Sequence, residues 1–198
     1  MAALLAACGG SSSDSNQKPG NYQVQVTGAS FPAHQFIGQT SLLKIGVRNT
    51  GKKTVPALTV TVNIEGKEGE AAQIPFAVHD PQPGLSGPDR PVWVLSATYP
   101  RLAGSSEPGG AETAAGRTYS FGALKPGKTV EAIWKLSAVR PGRYTLGYAI
   151  DAGLSGEAKA KTANGAAPGG SFVTDISTAL PETEVNGAGE IVEIKRKK

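Results

Sequence analysis

The chain has 198 residues, enough for one domain of ordinary size with some tail to spare. Hydrophobic residues make up 39%, enough for one core, and the 26 glycines and 14 prolines disfavour long helices and suit short strands joined by turns. The formal charge of +4 lies wholly in Lys195, Arg196, Lys197 and Lys198; removing those four from the 20 basic residues leaves 16 against 16 acidic ones. Read along the chain, no basic stripe stands out on the body, which argues against a nucleic-acid-binding protein. The basic terminus itself reads as solvated.

The chain opens on Met1-Ala2-Ala3-Leu4-Leu5-Ala6-Ala7-Cys8, then turns polar and rich in Ser and Gly. An apolar run that ends in small residues is how a secretory signal approaches its cleavage site. Leu5-Ala6-Ala7-Cys8 resembles the lipobox of bacterial lipoproteins. That resemblance implies a lipid anchor on the thiol of Cys8, which is the only cysteine, and an extracytoplasmic, membrane-attached location. Each buried methylene of such an anchor contributes about 0.8 kcal/mol, and stable attachment takes more than one chain. Only seven residues precede Cys8 and none is Lys or Arg, so the reading frame is expected to extend upstream. Residues 9–20 read as a flexible tether.

From Tyr22 the pattern changes to period-two alternation. Strands are predicted over 22–26, 43–48, 58–64, 74–78, 92–99, 118–124, 129–139, 143–151, 159–162 and 171–176. The run Leu58-Thr59-Val60-Thr61-Val62-Asn63-Ile64 shows why: apolar side chains fall on one face, and Thr or Asn on the other. Pro126-Gly127 and Pro141-Gly142 are turn signals, because Pro presets φ and Gly accepts φ > 0. The best helical candidate, 66–72, is short and broken by Gly. Residues 80–91 and 100–116 read as long surface loops. The expected fold class is all-β, an immunoglobulin-like antiparallel β-sandwich over 21–178, with a partial signal over 1–8 and a tail over 179–198.

Two blocks carry a further resemblance. Leu43-Lys-Ile-Gly-Val-Arg-Asn49-Thr50-Gly51 through Val62, and Leu124-Lys-Pro-Gly-Lys-Thr129 through Leu146, resemble CARDB-like domains, immunoglobulin-like modules of secreted bacterial proteins. The resemblance implies a ligand or adhesion module with no shared catalytic residues. It also implies a core role for Trp134, and for Tyr144 a tyrosine corner that ties a turn to the sheet.

Catalytic and metal chemistry finds little footing. His34 and His79 have no flanking partner motif, and one cysteine with two histidines makes no usual zinc site. A copper site would want several Met and His, yet the only methionine is Met1. Asp80, Asp89, Glu107 and Glu112 share the two long loops, but no Asp-x-Asp-x-Asp-Gly run supports calcium. Gly84-Leu-Ser86-Gly and Gly153-Leu-Ser155-Gly are turn sequences rather than a nucleophile elbow.

The function expected is therefore a lipid-anchored, non-enzymatic binding or adhesion module. It would be monomeric, with no cofactor, and its partner would be a protein or cell-wall polymer. The alternatives are an accessory solute-binding protein, an extracytoplasmic enzyme whose site assembles from distant residues, and a plain spacer. A deep pocket lined by hydrogen-bonded Asp, Glu, His or Ser would favour the enzyme.

Overall fold

A computed structural model describes residues 17–65, 76–78, 91–109, 117–179 and 183–193. Cys8, His79, Asp80, Asp89, Glu112, the 84–87 turn, the helical candidate 66–72 and the basic terminus lie outside them. No helix occurs among the described residues.

The larger sheet is built from β1 (Gly20–Ser30), β3 (Thr40–Asn49), β5 (Phe76–Val78), β6 (Trp93–Leu95), β7 (Arg101–Leu102), β9 (Thr129–Ala138) and β11 (Ala158–Lys161). Its order is β11-β1-β3-β9-β6-β5, with β7 also paired to β9. The smaller sheet is built from β2 (His34–Phe36), β4 (Thr59–Glu65), β8 (Thr118–Ser120), β10 (Gly142–Asp151) and β12 (Gly169–Ser177), in the order β2-β12-β10-β4-β8. The central pairs are antiparallel. The pairs β1–β11, β2–β12 and β5–β6 are parallel.

All ten predicted strands are present, with ends shifted by a few residues. Four short ones were not predicted. β2 follows Pro32, and β7 interrupts the segment 100–116 that reads as loop. Strands β13 (Thr183–Val185) and β14 (Ile191–Glu193) pair as a hairpin inside the stretch 179–198. Two or three residues are too few to display alternation, so only tertiary pairing reveals them. The folded body also begins earlier than residue 21. Gln17, within the stretch read as tether, is buried.

The core lies between the sheets. The period-two pattern aims Leu43, Ile45 and Val47 of β3, and Trp134 and Leu136 of β9, into it from one side. Val60, Val62, Leu146 and Ile150 enter from the other. Trp93 and Trp134 are both 0% exposed, each worth roughly 4–6 kcal/mol of apolar transfer before conformational entropy is counted. Tyr119 and Phe121 approach Trp134 edge-on, at 6.1 and 5.7 Å between centroids, the arrangement that ring quadrupoles favour. Both Pro-Gly turns have the expected left-handed glycine, at φ 71° for Gly127 and 139° for Gly142. The phenol of Tyr144 donates to Pro141 O at 2.8 Å, tying that turn to β10 as the resemblance implied.

Candidate functional site

The end of the sandwich where the chain enters is organised by hydrogen bonds between distant segments. Hydrogen bonds hold the incoming segment. Gln17 Oε1 accepts from Leu154 N at 2.7 Å, Tyr22 Oη donates to Lys18 O at 2.9 Å, and Gly20 N donates to Glu157 O at 3.1 Å. β1 then pairs in parallel with β11 over Gly20–Gln23 before it runs along β3. Gly153-Leu154-Ser155-Gly156 is thus a docking turn for Gln17. Nothing in its sequence pairs it with residue 17.

Asn49 organises the same end. Fully buried, its amide nitrogen donates to Lys53 O at 2.9 Å and to Leu124 O at 2.8 Å. Its side-chain oxygen accepts from Gly51 N at 3.0 Å. Its backbone bonds Lys128 O and Gly127 N at 3.0 and 2.8 Å. One Asn therefore pins two turns, 50–53 and 125–128, side by side. Only an amide carries both donor and acceptor in this geometry. Asp151 does related work from the smaller sheet, where its Oδ1 accepts from Ala152 N and Ala160 N at 2.9 and 2.7 Å.

Bringing those turns together gathers charge. Thr50 N and Gly51 N donate to Gln23 O at 3.1 and 3.2 Å, so Lys52 and Lys53 stand beside the entering strand. The register sets Gln25 opposite Arg48 and Gln23 opposite Lys161. Residues two apart on one strand share a face, and this places Arg48 and Lys161 together on the outside of the larger sheet. Cations more than a hundred positions apart are thus brought together by strand pairing, which reading along the chain does not reveal.

Two open grooves border this region. One, of about 650 Å³, runs between β1 and the 162–169 segment and is lined by Val24, Val26, Thr162, Asn164 and Pro168 among others. The second, of about 450 Å³, lies across Thr27, Gly46 and Leu102. Neither brings two ionisable side chains together: the first is lined by none, and the second by Glu131 alone. Among the described residues no group of three or more His, Cys, Asp or Glu is placed to hold a metal. His34 is exposed at the start of β2, opposite Asp175. Glu107 is exposed in a loop, its backbone N–H bonded to Ser105 Oγ.

No protein-family model and no curated protein matches this sequence. Among solved structures, the chain is similar to the CARDB domain of a Pyrococcus furiosus protein, at 12% identity over 79% of this chain and 94% of that one, with a TM-score of 0.43. The crystal structure of that domain in complex with di-metal ions aligns at 11% identity over 79% and 86%, with a TM-score of 0.41. AvmM, which catalyses macrocyclization in alchivemycin A biosynthesis, aligns at 10% identity over 81% and 92%, with a TM-score of 0.45. The CARDB-like family expected from residues 43–62 and 124–146 is thus among the structures this fold is similar to. At these scores and identities nothing about ligand or activity passes from them, and the two-sheet fold rests on the strand pairing itself.

Proposed function

We propose that the protein is an extracytoplasmic lipoprotein, anchored through Cys8, whose β-sandwich is a non-enzymatic binding module. The observation that carries this reading is the spacing at the N-terminus. The lipobox-like Leu5-Ala6-Ala7-Cys8 stands nine positions before the buried Gln17. A nine-residue span reaches at most about 30 Å. The anchor would therefore hold the entry end of the sandwich near the membrane, leaving the opposite end and both sheet faces for a protein or cell-wall partner. Grooves in which no two ionisable side chains converge suit recognition better than acid–base chemistry, which requires converging titratable groups.

Detergent phase partitioning tests the anchor. The protein is expressed in a bacterium from its full upstream reading frame, as wild type and as Cys8→Ala. Wild type is expected in the detergent phase and the variant in the aqueous phase. Wild type in the aqueous phase would remove the anchor and leave only the sandwich.

A further inference from the structure

We propose that the entry end of the sandwich is itself a membrane contact, a cationic pole that docks on anionic phospholipid headgroups. The proposal rests on the lipoprotein reading for its orientation but not for its chemistry.

The pole is built by tertiary structure. Arg48, Lys52, Lys53, Lys125, Lys128 and Lys161 converge there through the Asn49 hub and the pairing of β1 with β3 and β11. Lys18 enters with the tether, and Lys159 lies opposite Asn21 on the same outer face as Lys161. Seven of these eight side chains are exposed, Lys161 being half-buried. Against them stand Asp151, whose carboxylate is engaged with two backbone N–H groups, Glu157, and Glu131 one step further along the outer face. Among the described residues, positive charge therefore predominates at this end of a body whose sequence balances overall. The ion pair Arg143 with Asp175 at 3.7 Å is at the other end, and among the described residues no carboxylate forms a close ion pair with a cation of the pole.

The choice of lipid as occupant follows from charge and position. Exposed cations gain little from isolated carboxylates in water but act together on a dense anionic surface. A lipid anchor combined with a basic patch is the two-signal arrangement that makes membrane attachment stable. The span from Cys8 to Gln17 brings this end, rather than the other, to the headgroups.

The test uses the full chain as Cys8→Ala, so that no lipid contributes. Lys195, Arg196, Lys197 and Lys198 are each changed to Gln to silence the terminus. Co-sedimentation is measured with phosphatidylcholine vesicles, with and without phosphatidylglycerol. Binding is expected only with phosphatidylglycerol, and it should vanish as salt shortens the Debye length from about 10 Å to about 3 Å. Each pole cation removed should lower partitioning about five-fold. The pair Lys52→Gln and Lys53→Gln should then lose roughly twenty-five-fold, while Lys135→Gln with Arg140→Gln at the far end should lose nothing. Unchanged melting temperatures establish that all variants fold. Equal loss from both pairs, or no binding to phosphatidylglycerol vesicles, overturns the pole. Capture by soluble polyphosphate without vesicle binding also overturns the lipid assignment. None of these results bears on the detergent partitioning of the lipidated protein, so the two readings fail separately.

Discussion

The buried amide of Asn49 donates to the main-chain carbonyl of Leu124 at 2.8 Å, joining residues 75 apart in the chain. It donates at the same time to Lys53 O, and so decides where two lysine-bearing turns sit. Asn49→Ala leaves both carbonyls without their donor, that of Leu124 in a buried position. It should cost about 2–3 kcal/mol in urea denaturation. Asn49→Asp should cost more, because it replaces the donor with a buried charge. A loss below about 0.5 kcal/mol in both would show that the turns hold without it.

Gln35 and Trp93 form a second buried pair. The indole N–H donates to Gln35 Oε1 at 3.0 Å, with Trp93 fully buried and Gln35 nearly so. Gln35→Leu strands that N–H and should cost about 1–3 kcal/mol. Trp93→Phe creates a cavity, but in its presence Gln35→Leu should cost less. A double-mutant cycle by thermal denaturation reads the coupling, expected at about 1 kcal/mol. Strict additivity would show that the bond contributes nothing.

Tyr144 and Gly142 act together. The phenol reaches Pro141 O by folding over Gly142, where an added Cβ would stand 2.9 Å from the Tyr144 hydroxyl oxygen. Gly142 also has φ 139°, a conformation that L side chains avoid. Tyr144→Phe should cost about 1 kcal/mol. Gly142→Ala should cost more, since it strains the backbone and displaces the ring. Denaturation midpoints of the two variants give the comparison, and the reverse ranking would mean that the hydrogen bond outweighs the backbone.

Burial pushes the Tyr148 phenol above its ordinary value of 10.0, with its ring stacked on Phe172 at 5.6 Å. The raised value means that the folded state holds the proton more tightly than the unfolded one. Its stability contribution is fully present below the unfolded pKa and is lost as pH rises through the folded value. Urea midpoints followed upward from about pH 8 should therefore fall less steeply in Tyr148→Phe than in wild type. Identical slopes would remove this phenol from the alkaline response.

Period-two alternation and two Pro-Gly pairs determined the strand segments and the two-sheet class seen among the described residues, because the pleat fixes which side of a strand each residue faces. The lipobox-like Cys8 was likewise local, a run of adjacent residues that needs no fold to be read. What alternation leaves open is which strands become neighbours. The tertiary structure decided that β11 closes on β1 in parallel, that Gln17 belongs to the body, that Gln35 caps Trp93, and that Asn49 draws Lys53 and Lys128 together. These are pairings across long stretches of chain, and their energy comes from burial and satisfied backbone groups rather than from any local propensity. The same holds for the charge. Sixteen cations and sixteen anions are all that residues 1–194 declare, and only the folded arrangement of the turns gathers eight of the cations at one end.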